Sequence, residues 1–121
     1  MTYEVLEYKY IKKIKKMKIQ FNTDKTINGD ERHQEFFTTQ IADELERYET
    51  YISRVEVHVS DENGKKDGIN DIRCLLEARL EGFKPIAVSN QAENTELAVS
   101  GALTKLKASL KTTLGRIQNH S

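Results

Sequence analysis

The residues able to do acid–base, ligand or nucleophile chemistry are few and scattered. Histidine occurs as His33, His58 and His120, and none stands at ligand spacing from a cysteine or another histidine. A metal centre or proton relay needs such groups to converge in a cleft. His58 alternates with Val57 and Val59, so it belongs on the solvent face of a strand. Cys74 falls in step with Leu76 and Ala78 and reads as inert packing. As the single cysteine it excludes an internal disulfide and suits a reducing cytosol. No glycine-rich phosphate loop and no Cys-x-x-Cys pair occurs. These observations point away from an enzyme and imply neither metal nor cofactor.

Cations make a stronger pattern. Residues 97–119 carry Lys105, Lys107, Lys111 and Arg116 with no acid among them. Val99, Leu103, Leu106, Leu110, Leu114 and Ile117 recur at spacings of three and four, which defines one apolar helix stripe. Measured from Val99, Lys107 and Lys111 lie near about 80° and 120°, and Lys105 and Arg116 near about 240° and 260°. The sector opposite the stripe holds Gly101, Ala108 and Thr112, all small. A smooth strip with a cationic rail on each side can approach a phosphate backbone closely. Lysines also border the apolar stripe of many surface helices, because their stems cover it. On the phosphate reading Lys105, Lys107, Lys111 and Arg116 contact RNA, with Lys84 and the loop residues Lys65 and Lys66 as outlying contacts.

The elements that must hold this helix can be read in order. Residues 1–16 (MTYEVLEYKYIKKIKK) form a basic arm of five lysines against two glutamates. Two readings of them stay open: a disordered native arm, or an extension ahead of a true start at Met17. Residues 17–121 are the domain proper. MKIQF reads as a short strand with Ile19 and Phe21 on one face. Asn28-Gly29-Asp30 is turn chemistry, with Asp30 as a helix N-cap. Phe37, Ile41, Leu45 and Tyr48 then mark an amphipathic helix ending near Tyr51, whose other face carries Asp43, Glu44, Glu46 and Glu49. ISRVEVHVS alternates as a half-buried strand, and residues 61–71 form a polar hairpin loop. IRCLLEARLEG is a third strand, Phe83-Lys84-Pro85 a tight turn, and IAVS a short fourth strand. Asn94 or Thr95 caps the basic helix.

The fold class that follows is α+β, a two-layer βαβββα sandwich with both helices on one face of a four-stranded sheet. Its core should contain Phe37, Val57, Leu76 and Leu106 together, with His58 outside. The sheet's other face mixes Arg54, Glu56, His58, Arg73, Glu77 and Arg79, as cross-strand ion pairs require. No apolar run approaches the about 20 residues a membrane-spanning helix needs. The expected location is cytoplasmic, with no membrane partner. The net charge of zero hides a division, since residues 29–50 hold seven acids against two arginines. If the second helix meets RNA, the acidic first helix is expected on the side away from it.

From Met17 to about Asn119 the chain resembles the ribosome hibernation-promoting factors and ribosome-associated inhibitors in their short, single-domain form. The likeness lies in MKIQF as opening strand and in LERYETYISRVEVHV, a helix end running into a strand. It is densest in IAVSNQAENTELAVSGALTKLKASLK, with Ala98-Val99, Lys105-Leu106, Leu110 and Lys111 in the helix. The resemblance implies a double-stranded-RNA-binding-like domain. It implies binding of small-subunit ribosomal RNA near the decoding region, and a translation block under stress or starvation. The chain departs from that pattern at Asp43, Glu44 and Glu46 in a helix that family members keep basic. It departs again at Glu96, where they carry an aromatic, and at Thr112 and Thr113, where their basic cluster is thinned. A competing expectation is a protein–protein interaction module with little RNA affinity, including a homodimer formed through a sheet edge or the basic arm.

Overall fold

A computed structural model of the chain describes residues 17–23, 31–62 and 72–119. The elements run β1 (Lys18–Thr23), α1 (Glu31–Glu44), β2 (Ile52–Asp61), β3 (Ile72–Leu80), β4 (Ile86–Ala92) and α2 (Thr95–Asn119). The four strands form one sheet in the order β1-β2-β3-β4. β1 runs parallel to β2, and β2, β3 and β4 are successively antiparallel. The expected four-stranded α+β sandwich is the observed fold.

Alternation decides which sheet face is buried. Val55, Val57 and Val59 of β2 stand beside Ala78, Leu76 and Cys74 of β3, all within one core. Phe37 and Ile41 of α1, Leu45 just past its end, and Val99, Leu103, Leu106 and Leu110 of α2 close over them. Phe21 of β1 stacks on Phe37 with ring centroids 6.0 Å apart. His58 is exposed, as its register requires. Cys74 is fully buried, and burial pushes its thiol up to about 12, so it stays protonated and unreactive at neutral pH.

On the outer face the register sets like charges side by side, Arg54 against Arg79 and Glu56 against Glu77. That arrangement is unfavourable taken as direct pairs. Diagonal and along-strand contacts relieve it: Arg79 lies 3.5 Å from Glu56 and 3.3 Å from Glu77, and Arg54 4.0 Å from Glu56.

Two boundaries differ most from the expectation. The first helix ends at Glu44 rather than near Tyr51, because Leu45 leaves helical geometry at φ −101°, ψ 7°. A 3-10 turn at Glu46–Tyr48 follows, and it carries Tyr48 against the core before β2 begins. The fourth strand runs to Ala92 rather than stopping after IAVS, since β3 offers partners as far as Ile72. The connection before it turns at Gly82, whose φ of +79° is the left-handed region that favours glycine. Asn94 settles the choice of cap: its Oδ1 accepts the Leu97 N–H at 2.9 Å. The Asp30 cap, most of the 61–71 loop, the arm and His120 lie outside the described residues, as does the side chain of Ile117.

Candidate nucleic-acid interface

α2 is held by its buried stripe, which fixes the direction of every other side chain on it. Ala98, Val99, Ala102, Leu103, Leu106, Leu110 and Leu114 are buried. Ala108, Lys111, Thr112 and Arg116 are exposed on the outer side. The small strip is therefore present at Ala108 and Thr112. At Gly101 it is not: the Asn90 side chain from β4 lies against that glycine, where a Cβ would collide with its amide. Asn90 Nδ2 donates to the Leu97 and Ala98 carbonyls at 3.3 and 3.4 Å. Gly101 is where strand and helix come close, not open surface.

The rails also divide. Lys107 turns toward α1 and donates to Glu44 Oε1 at 2.8 Å. Partial burial alone would push the Glu44 carboxyl up, but the Lys107 ammonium and the Gln40 amide at 3.0 Å hold it below its ordinary value. Gln40 also donates to Ser100 Oγ at 3.3 Å, so a short polar seam joins the helices. Lys105 turns the other way and donates to the Ser89 carbonyl of β4 at 2.8 Å. Lys111 and Arg116 form no ion pair among the described residues and keep their charge at the surface. Lys84 is exposed in the turn before β4, at the end of the sheet toward which α2 runs. Lys65 and Lys66 lie outside the described residues. The structure thus brings Lys111, Arg116 and Lys84 toward one end, while Lys105 and Lys107 are engaged within the fold.

The acidic helix lies in the same layer as the basic one. Both helices must cover the same sheet face, so α1 lies beside α2 and is tied to it through Glu44 and Lys107. That adjacency is the expected one for two helices on one sheet face, with the Glu44–Lys107 pair as its added detail. Glu35, Asp43 and Glu46 are exposed beside an exposed Phe36. The Glu44–Lys107 pair was not legible from the sequence, because it depends on how the two helices are aligned.

Among the described residues no group of three histidine, cysteine or acidic side chains could hold a metal ion. No described helix is long and apolar enough to cross a membrane.

Comparison with known proteins follows the same line. No significant match occurs among curated proteins. Among solved structures, the chain resembles the N-terminal domain of Thermus thermophilus Protein Y, with TM-score 0.64 and 16% identity over 80% of this chain and 99% of that one. It also resembles a ribosomal subunit interface protein from Coxiella burnetii, with TM-score 0.64 and 15% identity over 82% of this chain and 99% of that one. At such identities the likeness is one of fold. A sequence profile described as sigma 54 modulation protein / S30EA ribosomal protein matches residues 19–118. With that match spanning every strand and nearly all of the basic helix, the chain belongs to the sigma 54 modulation / S30EA ribosomal protein family.

Proposed function

We propose that this domain is a non-enzymatic, cytoplasmic ribosome-associated factor of the hibernation type. It binds RNA of the small subunit near the decoding region and blocks translation under stress or starvation. Family membership over residues 19–118 is the observation that carries this reading. One structural neighbour, a ribosomal subunit interface protein, agrees with it. The contact surface is the outer side of α2, where Lys111 and Arg116 flank the small residues Ala108 and Thr112, with Lys84 as an outlying cation. Small residues let a phosphate backbone approach, and guanidinium and ammonium groups neutralise it.

The test is co-sedimentation with purified small subunits across a salt series, for the wild type and for Lys111→Gln/Arg116→Gln. The variant should bind more weakly without unfolding, each lost contact flattening the log–log salt slope by about 0.7 to 0.9. Equal, salt-insensitive binding by both proteins would sink the electrostatic contact.

A second reading has its own observation. The exposed acids of α1 flank the basic helix, and carboxylates beside phosphates are repelled. A protein–protein interaction module of the same fold would use that face, and no binding of either protein to small subunits would favour it.

A further inference from the structure

We propose that the corner of the sheet where β2 begins and β3 ends is a platform for unpaired RNA bases, with Tyr51 and Phe83 as its stacking faces. The proposal rests on the ribosomal reading and extends it from phosphates to bases.

Register brings the two rings to one place. Ile52 stands opposite Leu80 and Ile86 opposite Ala78, so the start of β2, the end of β3 and the start of β4 share one end of the sheet. There the Glu81 N–H donates to the Tyr51 carbonyl at 3.3 Å. Phe83 follows Glu81 by two residues, at most about 7 Å along the chain. Tyr51 is 40% exposed and Phe83 50%.

Both rings stand on fixed backbone. The Tyr51 N–H donates to the Tyr48 carbonyl at 2.9 Å, so its main chain is bonded on both sides. The Phe83 N–H closes a turn on the Leu80 carbonyl at 3.4 Å, through Gly82 in the left-handed region. Pro85 then restrains the backbone of Lys84. An aromatic side chain on a rigid stem supplies contact area at little cost in entropy.

Each ring has a cation near it. Lys84 adjoins Phe83 and is exposed. Tyr51 lines a shallow depression with Glu46, Arg47, Glu49 and Thr50, and the Arg47 guanidinium is held 5.9 Å from the centre of the Tyr48 ring. α2 starts at the opposite end of the sheet and runs back, so Lys111 and Arg116 lie toward this corner as well. A ring for a base beside a cation for its phosphate is the pairing by which single-stranded nucleic acid is held.

The surroundings favour RNA over a protein partner. An anchor residue in a protein interface sits within a well-packed apolar pocket. Around these rings Glu46, Arg47, Thr50, Glu81 and Lys84 are polar and exposed. A base needs only the ring face, and Glu46 and Glu81 can accept from base amino groups, which a phosphate does not offer.

The experiment uses the double variant Tyr51→Leu/Phe83→Leu, which keeps apolar bulk but removes both ring faces. In co-sedimentation with purified small subunits it should bind at least about tenfold more weakly than the wild type. Its salt slope should stay that of the wild type, because no cation is lost. Tyr51→Phe should bind as the wild type does. Ultraviolet irradiation of the wild-type complex should cross-link Tyr51 or Phe83 to small-subunit RNA. Wild-type affinity in the double variant, a slope flattened together with affinity, or cross-links from these rings to ribosomal protein alone would each overturn the platform while leaving the phosphate contact of α2 in place. If the wild type does not sediment with subunits, the ribosomal reading fails, and an unstructured RNA of about ten nucleotides becomes the probe. Weaker binding of that RNA by the double variant would then retain the platform, and equal or absent binding would overturn it.

Discussion

α1 and α2 cover the same sheet face by the same apolar periodicity, yet they differ in depth and in sign. α2 contributes seven buried side chains and packs on β3 and β4. α1 contributes Phe37 and Ile41, with Leu45 just beyond its end. The outer side of α2 carries Lys111 and Arg116, and that of α1 carries Glu35 and Asp43. Apolar spacing places a helix, but it leaves the charge of the opposite side unconstrained. The two surfaces can therefore serve different partners without disturbing the shared core.

The largest expected effect tests the difference in depth. Leu106→Ala should destabilise the domain by about 3 kcal/mol, since a fully buried leucine leaves a cavity. Ile41→Ala should cost about 2 kcal/mol and speed amide hydrogen exchange mainly within α1. Denaturant melts with exchange mapping would check both. Exchange accelerated equally in both helices by both variants would erase the distinction.

A smaller effect is expected where α2 meets β4. Gly101→Ala gains about 1 kcal/mol of helix propensity, but its Cβ must displace Asn90 and break the bonds to the Leu97 and Ala98 carbonyls. The net change should be a loss of about 1 kcal/mol. In an Asn90→Ala background the same substitution should become stabilising. A double-mutant cycle with the same sign in both backgrounds would refute the close-approach account.

The seam between the helices should contribute less than about 1 kcal/mol, because Lys107 and Glu44 are each more than a third or nearly a third exposed. Glu44 titrates below its ordinary value when folded, so the bridge contributes fully above the unfolded value and is lost as pH falls through the folded one. Glu44→Gln should therefore lower stability at pH 7 and match the wild type only once the pH has fallen below the folded value of that carboxyl. A difference that persists in acid would assign the effect to packing. Least of all, deleting residues 1–16 should shift the melting temperature by a few degrees at most, because their sequence offers no apolar face to the core. Loss of cooperative folding in the deletion would make that segment an integral element.

The strands and helices were legible because each buries one face. Val55, Val57 and Val59 announce a period of two, and Val99, Leu103, Leu106 and Leu110 a period near 3.6. The end of α1 was not, since Leu45 and Tyr48 continue the helical spacing through a 3-10 turn that serves the core equally well. The candidate interface was half legible. Wheel angles place Lys111 and Arg116 outside the stripe, and both are exposed. The same angles cannot tell that Lys107 meets Glu44, 63 residues away, or that Lys105 meets the β4 backbone. Those partners depend on which element lies alongside α2. Gly101 looked like open surface for the same reason.

The bond from Lys105 to Ser89 has a consequence for how copies of the chain meet. β4 is the last strand of the sheet, with no strand on its other side among the described residues. Bare strand edges are templates on which further chains add, and lysines placed along them oppose such stacking. By resting its ammonium on the Ser89 carbonyl, Lys105 occupies a backbone acceptor of this outermost strand and brings a cation to it. Lys105→Met should leave the fold intact yet raise light scattering on prolonged incubation at high protein concentration. In this reading the lysine works as a guard against fibrous self-assembly, a service rendered at the margin of the sheet and independent of any phosphate.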